Sequence, residues 1–423
     1  MTKYFHSVEL DAEKCCGCTH CLSRCPTEAI RVHDGKAQIL PERCIDCGEC
    51  IRVCPHHAKK ASCSTLDDTK SFKYKVAIPA PALFGQFNNL DNIDIVLTGL
   101  KAVGFDKVFE VSRAAELVSE ATRKLIKENK LKKPIISSAC PAVVRMIKIR
   151  FPELCSNVMP LLAPIEVAAR LARKEAIEET GLKSEEIGVF FITPCAAKVT
   201  EVHSPSYVEK SACDGAISFS KIYPELSQAM DHLTEIEPIA QSGLIGIGWA
   251  NSGGESAAML GDKYLAADGI ENVIRVLEEL EDEHIRDIDF IELNACSGGC
   301  VGGALTVENP YVAQARIQNL RKYMPVSMNH IGENIDNMMW ENELKFDADI
   351  FRLDEDIFKA MSMMERMETI IKDLPGIDCG SCGAPTCRAM AEDIVMGRAK
   401  ETDCIFKLKA KIQNVYDTLS GLS

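Results

Sequence analysis

Apolar positions along this chain follow two rhythms. Continuous apolar runs occur at Lys75-Val76-Ala77-Ile78-Pro79, Pro134-Ile135-Ile136-Ser137-Ser138, Ile187 to Thr193 and Phe290-Ile291-Glu292-Leu293, and each reads as a short buried strand. Between them the apolar residues recur every three or four positions, as in Ala114 to Glu128 and Ile165 to Glu179, which predicts amphipathic helices. Strands alternating with helices at this spacing predict parallel α/β sheets. Three of the strands run into loops that carry Cys140, Cys195 and Cys296. The carboxyl ends of parallel strands are where such a fold places its chemistry.

Outside this region the pattern changes. A long helical pattern runs from about Asp347 to Asp373, and the polar stretch Ser62 to Lys70 reads as a linker. Gly243-Leu244-Ile245-Gly246-Ile247-Gly248 lacks the spacing of a dinucleotide fingerprint, so its glycines read as backbone packing. The sequence has no P-loop.

Composition is ordinary for a globular protein, with 46% hydrophobic and 26% charged residues, except for 20 cysteines in 423 residues. The N-terminus lacks the apolar core of a signal peptide. No run approaches the ~18 apolar residues that cross a membrane. A cytoplasmic protein is therefore expected, whose thiols stay reduced and serve as metal ligands. The net charge of −14 argues against nucleic acid, which requires basic patches.

Ten cysteines lie between Cys15 and Cys63, and most of them form a repeat. Cys15-x₂-Cys18-x₂-Cys21-x₃-Cys25-Pro26 is followed by Cys44-x₂-Cys47-x₂-Cys50-x₃-Cys54-Pro55. This is the bacterial two-cluster ferredoxin pattern, in which the fourth cysteine of each run reaches the other cube. Cys15, Cys18, Cys21 and Cys54 are expected to hold one [4Fe–4S] cluster, and Cys44, Cys47, Cys50 and Cys25 the other. Zinc needs only four ligands per site and does not account for the repeated Cys-Pro steps.

A second set, Cys379-x₂-Cys382-x₄-Cys387-x₁₆-Cys404, supplies four thiolates near the C-terminus. Glycines beside Cys379 and Cys382 let the backbone curl around a cube. The set resembles a small [4Fe–4S] domain of anaerobic redox proteins, with a Cys₄ zinc knuckle as the competing reading.

Three motifs occupy the centre: Ser137-Ser138-Ala139-Cys140-Pro141-Ala142, then Thr193-Pro194-Cys195-Ala196-Ala197-Lys198-Val199-Thr200-Glu201, then Glu292-Leu293-Asn294-Ala295-Cys296-Ser297-Gly298-Gly299-Cys300-Val301-Gly302-Gly303. In series, behind a ferredoxin pattern, they resemble the [FeFe]-hydrogenases. The resemblance covers nearly the whole chain. It implies three parts: an α+β two-cluster ferredoxin domain over 1–66, an α/β catalytic domain with parallel sheets over 67–345, and a small helical [4Fe–4S] domain over 346–423. It also implies an H-cluster, a [4Fe–4S] cube bridged to a diiron subsite with CO and CN⁻ ligands and a bridging dithiolate amine. Cys140, Cys195, Cys296 and Cys300 would hold the cube, Cys300 would bridge to the diiron subsite, and Lys198 would donate to a cyanide ligand. Glycines 298, 299, 302 and 303 are expected to make room for that group. Cys16, Cys63, Cys155 and Cys213 are left as packing thiols.

The sequence departs from the family at Ala139, where the productive enzymes carry a cysteine that relays protons. Losing a positioned acid–base group typically costs ~10²–10⁴ in rate. Thr193 and Asn294 stand where the family has methionines, which is expected to make the surroundings of the cluster more polar. Glu201 matches a glutamate of the usual proton route. These departures resemble the sensory branch of the family and imply H₂ binding and reversible cleavage with slow turnover. The chain ends within 20 residues of Cys404, so a signal is expected to leave through a partner. Expected partners are H₂, protons, a ferredoxin or signalling protein, and the proteins that mature the diiron subsite. The alternatives are an ordinary ferredoxin-linked hydrogenase and an electron-transfer protein without the diiron subsite.

Overall fold

The computed structural model describes residues 4–332, 335–346 and 350–420. It divides into two compact units. The first comprises residues 1–7, 45–48 and 61–346, and the second residues 8–44, 49–60 and 347–423.

The first unit is built on two wholly parallel sheets. In one, Tyr74–Pro79 lies between Lys107–Val108 and Ile187–Thr193, and Gly215–Ser218 extends the far edge. In the other, Phe290–Asn294 lies between Tyr264–Asp268 and the two-residue strand Ile135–Ile136. Every residue of Ile187–Thr193 is buried, as the unbroken apolar run requires of a central parallel strand. The four strands expected from the sequence are present. Three more were missed because Lys107–Val108 is very short, Gly215–Ser218 has Ile217 as its one large apolar residue, and Tyr264–Asp268 is an edge strand that is not fully buried.

Helices run close to their expected limits, Val111–Glu128 and Pro164–Thr180. The first ends at Asn129 and the second at Gly181, both in the left-handed conformation that stops a helix. The segment read as a linker is pinned instead. Ser64 N–H donates to the Ala216 carbonyl at 2.9 Å, and Asp67–Ser71 forms a 3₁₀ turn. Gly246 packs as expected: a Cβ there would stand 2.2 Å from the Ser112 carbonyl oxygen.

In the second unit, the antiparallel hairpin Ile30–His33/Lys36–Ile39 and the short helices His20–Ser23 and Glu49–Arg52 form the ferredoxin portion. The C-terminal portion packs on it. Val32 N–H donates to the Gly383 carbonyl at 2.8 Å, and two buried ion pairs, Arg31–Asp393 and Arg43–Glu392, join them. The long helix is shorter than its pattern, spanning Ile357–Asp373, because Asp356 caps it by accepting from the N–H groups of Phe358 and Lys359. Asp347, where the pattern was read to begin, lies outside the described residues.

Breaking a buried ion pair strands the remaining charge, at a cost of about 3–5 kcal/mol. Asp393→Ala is therefore expected to lower the unfolding free energy measured by urea denaturation by an amount in that range. The joint replacement Arg31→Met with Asp393→Leu should recover most of the loss.

Candidate active site

The loops after Ile135–Ile136, Ile187–Thr193 and Phe290–Asn294 converge on one cavity of about 60 Å³ in the first unit. Cys140, Cys195, Cys296, Cys300, Lys198 and Ala139 all line it. Thus four thiols and one ammonium group from three separated motifs face one space. Apolar side chains, among them Val111, Phe191 and Trp249, complete much of the wall.

Electrostatics at this wall are demanding. Burial pushes the Cys195 thiol far up, and the neighbouring Cys296, Cys140 and Cys300 add to the shift while Lys198 opposes it. Burial also raises Cys300, again opposed by Lys198. For Lys198 itself burial alone would favour the neutral amine. The facing Cys300, Cys195 and Cys140, with Glu255, outweigh it and hold the group above its usual range, as a cation. Crowded, desolvated thiolates with a single lysine are poorly balanced alone. A metal cluster that supplies positive charge balances them, so this donor set fits an iron–sulfur group.

The glycines pack closely. A Cβ on Gly299 would stand 2.3 Å from Ser252 N, on Gly302 2.0 Å from the Ser297 oxygen, and on Gly303 2.2 Å from the Pro194 oxygen. Their missing side chains admit protein backbone, while Gly299 and Gly303 also line the cavity. The result is a tightly knitted loop: Leu305 N–H donates to Pro194 O at 3.0 Å, Val301 N–H to Ala250 O at 3.1 Å and Ser252 N–H to Gly298 O at 3.0 Å. Gly298 leaves more space, with its nearest neighbours at 3.7 Å, but its φ of +82° suits glycine.

Three further residues take definite positions. Thr193 is fully buried, and its hydroxyl accepts from Cys195 N–H at 3.1 Å, so its polarity braces the loop and is not spent on the cavity. Asn294 does line the cavity. Glu201 does not line it. Its carboxylate accepts from Ser206 N–H at 2.6 Å and Ser206 Oγ at 3.1 Å, beside Arg145.

Two carboxyl groups that sequence reasoning left without a role do line the cavity, Glu255 and Glu292. Ser137 Oγ donates to Glu255 at 2.6 Å, and Ala139 N–H donates to Ser137 Oγ at 3.1 Å. Glu292 accepts from Ser256 N–H at 2.7 Å, Gly253 N–H at 3.0 Å and Asn294 Nδ2 at 2.7 Å. Burial, then the charge of Glu292, raises Glu255 above the usual carboxylate range. Burial raises Glu292 as well, against the donors it accepts from. The acid inside the apolar strand Phe290–Asn294 was a signal for Glu292. Glu255, in a glycine-rich turn, carried none.

Within the first unit, the loop carrying Cys47 abuts this site. A Cβ on Gly48 would stand 2.5 Å from the Ala304 Cβ and 3.8 Å from the Ala196 Cβ. Asp46, fully buried, accepts from Arg145 at 2.7 Å and contacts His6 Nδ1 at 2.9 Å, which ties the loop to the helix Pro141–Arg150 that follows Cys140. In the second unit, Cys15, Cys18, Cys21 and Cys54 line one cavity of about 10 Å³, with Cys16 at its exposed rim. Cys379, Cys382, Cys387 and Cys404 line another of about 10 Å³. Cys25, Cys44 and Cys50 belong to the second unit and Cys47 to the first.

Comparison with known proteins agrees with this geometry. The family model "Iron only hydrogenase large subunit, C-terminal domain" matches residues 73–260 and 255–304. A 4Fe-4S dicluster domain matches residues 7–55, and an Fe-S cluster domain matches residues 374–406. The chain belongs to the iron-only, or [FeFe], hydrogenase large-subunit family and carries iron–sulfur domains on both sides of that core. It is 23% identical over 284 residues to iron hydrogenase 1 of Clostridium pasteurianum, covering 55% of this chain and 50% of that protein. It is 29% identical over 215 residues to the periplasmic [Fe] hydrogenase large subunit of Nitratidesulfovibrio vulgaris, covering 46% of this chain and 51% of that one. The chain thus spans about half the length of these curated relatives. A solved [FeFe]-hydrogenase, from a study of oxygen inactivation of the H cluster, superimposes with a TM-score of 0.51 at 15% identity, covering 65% of this chain and 94% of that one. The fold is [FeFe]-hydrogenase-like. Among the described residues no helix is long and apolar enough to cross a membrane.

Because a Cβ at 303 would strike the Pro194 carbonyl, Gly303→Ala is expected to shift the Cys300 loop and to cost about 1–3 kcal/mol, as overpacking does. Thermal unfolding together with iron content would check this, and unchanged values of both would refute the packing role.

Proposed function

We propose that the central cavity holds an H-cluster and that the protein binds and reversibly cleaves H₂ there at low turnover, as a detector of hydrogen. The observation that carries this reading is the convergence of Cys140, Cys195, Cys296, Cys300 and Lys198 on one cavity with Ala139 beside Cys140. Cys140, Cys195, Cys296 and Cys300 would ligate the cube, and Cys300 would bridge to the diiron subsite. That group, when bound, supplies the chemistry of heterolytic H₂ cleavage; the protein supplies binding, orientation and electrostatics. Lys198, held cationic, offers its ammonium group to an anionic cofactor.

Proton handling decides the rate. Ala139 cannot exchange a proton, and Glu201 is engaged by Ser206 away from the cavity wall. The groups that can hold a proton at the wall are the hydrogen-bonded Ser137–Glu255 pair and the neighbouring Glu292. Mutual repulsion and burial favour one proton retained between the two carboxyls. This line replaces a thiol relay with a carboxyl one, and it is the specific observation that favours the second reading, an enzyme of ordinary turnover.

The three simple clusters, at Cys15/Cys18/Cys21/Cys54, Cys44/Cys47/Cys50/Cys25 and Cys379/Cys382/Cys387/Cys404, would conduct electrons. The close packing of Gly48 on Ala196 and Ala304 sets the Cys47 loop beside the central site within the first unit. A cytoplasmic setting, maturation proteins for the diiron subsite and a ferredoxin or signalling partner belong to the same proposal.

The test is infrared spectroscopy of the anaerobically matured protein with and without H₂, followed by a turnover assay on the same sample. CO and CN⁻ bands that shift under H₂, with turnover well below that of productive enzymes, are the expected result. Shifting bands with fast turnover would establish the second reading, and absent bands would leave an electron-transfer protein. Glu255→Gln should lower turnover by about 10²-fold or more while the bands remain.

A further inference from the structure

The C-terminal cysteine site is not an isolated appendage of the second unit. Val32 lines the cavity of Cys15, Cys18, Cys21 and Cys54, and the same residue donates its N–H to Gly383, which lies between Cys382 and Ala384 of the C-terminal cavity. A Cβ on Gly383 would stand 1.9 Å from the Val32 oxygen, and one on Gly380 3.2 Å from Leu22 Cδ2, beside Cys21. The wall between the two cavities is therefore one layer of backbone, bridged by a 2.8 Å peptide hydrogen bond. Two clusters separated by so little protein exchange electrons readily.

The outward side of the C-terminal cavity is open in a particular way. Cys379 is exposed, and Ile377, Ile405 and Phe406 are 54%, 56% and 46% exposed around it, with Ile405 lining the cavity itself. The helix Ile405–Ser420 follows directly from Cys404 and buries no side chain. It carries Lys407, Lys409 and Lys411 against the single acid Asp417, in a chain whose net charge is −14. Lys407 pairs with Asp373 at 3.5 Å, while Lys409 and Lys411 are exposed and make no ion pair among the described residues. The nearby Asp378 is occupied in accepting from Cys387 N–H at 2.6 Å. An exposed thiol ligand with an apolar rim and a basic flank matches the docking face of a small acidic electron carrier.

We infer that this face is the electron port of the protein. An acidic one-electron iron–sulfur carrier docks against Ile377, Ile405 and Phe406 and exchanges its electron with the C-terminal cluster, steered by the positive field of Lys409, on the side of Ile405, and of Lys411, on the other side of the helix. That cluster passes the electron on through Val32 and Gly383 to the cluster of Cys15, Cys18, Cys21 and Cys54. The step is balanced by oxidation of the carrier and reduction of one [4Fe–4S] cluster by a single electron, with no bond made or broken. This inference rests on the reading of three simple clusters proposed above.

The experiment uses the full chain with its simple clusters but without the diiron subsite. The probe is a reduced, acidic plant-type [2Fe–2S] ferredoxin mixed in a stopped-flow instrument. The bimolecular rate should fall steeply with ionic strength, as for steered association. The double variant Lys409→Glu/Lys411→Glu should lose about tenfold or more of the low-salt rate and most of the salt dependence. Its reduction by the small methyl viologen radical should stay unchanged. Cys387→Ser should lose four irons per chain and the fast ferredoxin phase, while viologen still reduces the remaining clusters.

A charge-reversal variant with the wild-type ferredoxin rate and salt slope would overturn the docking face. A Cys387→Ser protein that keeps the ferredoxin rate despite losing iron would overturn the port. If Cys387→Ser fails to fold, the charge-reversal variant decides alone, since it keeps every cysteine. Unchanged iron in a folded Cys387→Ser would instead overturn the cluster assignment, and the inference with it.

Discussion

Charge balance in a desolvated cavity is the constraint on which the catalytic portion depends. Four thiols cannot ionise side by side in a low-dielectric space without opposite charge. The chain supplies one fixed cation, Lys198, on the helix Ala196–His203 that begins immediately after Cys195. One ammonium group does not offset four thiolates, so the site requires metal to be stable in its ionised form. Binding of the cluster and ordering of the three loops are therefore one equilibrium, as they are for other thiolate metal sites. The parallel sheets matter because they deliver Cys140, Cys195 and Cys296 from three distant parts of the chain to one place.

The rest of the loop architecture follows from holding those thiols still. Backbone hydrogen bonds from Leu305 to Pro194, from Val301 to Ala250 and from Ser252 to Gly298 fasten the Cys296–Cys300 loop to its neighbours. Such close approach of backbone to backbone is open only to residues without a side chain, which is why glycines crowd the motif. Gly299 and Gly303 also line the cavity, so the same glycines serve backbone packing and the space beside the thiols. The direction of a missing Cβ is a property of three dimensions and is not legible in the string.

Legibility was highest where one residue type can do only one thing. The family resemblance carried by the three motifs pointed to the thiols that line the central cavity, and cysteine spacing identified the sets at Cys15/Cys18/Cys21/Cys54 and Cys379/Cys382/Cys387/Cys404, each of which lines a cavity of its own. Long buried runs such as Ile187–Thr193 were equally plain, whereas Lys107–Val108 and Gly215–Ser218 were not, because two to four residues carry no period. Ambiguity grew for residues with many uses. Glu201 stood in a motif yet faces Ser206, and Glu255 stood in none yet faces the cavity. Thr193 looked like a polar neighbour of the cluster and turned out to brace the Cys195 loop. In each case the side chain's direction decided its role, and direction is set by packing that the sequence does not encode locally.

Taken together, the site treats electrons and protons unequally. On the electron side, glycine contacts bring the Cys47 loop against Ala196 and Ala304, and in the second unit they bring the C-terminal cysteine loop against Val32. Nothing in that arrangement suggests a damaged wire. On the proton side, position 139 is an alanine that holds no exchangeable side-chain proton, and the polar groups at or beside the cavity wall include Ser137, Glu255 and Glu292. A buried carboxyl whose proton is held by desolvation and by a like-charged neighbour releases it reluctantly. Under the proposed function, how readily Glu255 and Glu292 release a proton sets whether such a core turns over slowly or at an ordinary rate. On the slow reading of the proposed function, the redox state of the clusters would report H₂ more readily than turnover would. On that same reading, the inferred electron port is where a signal would leave the protein.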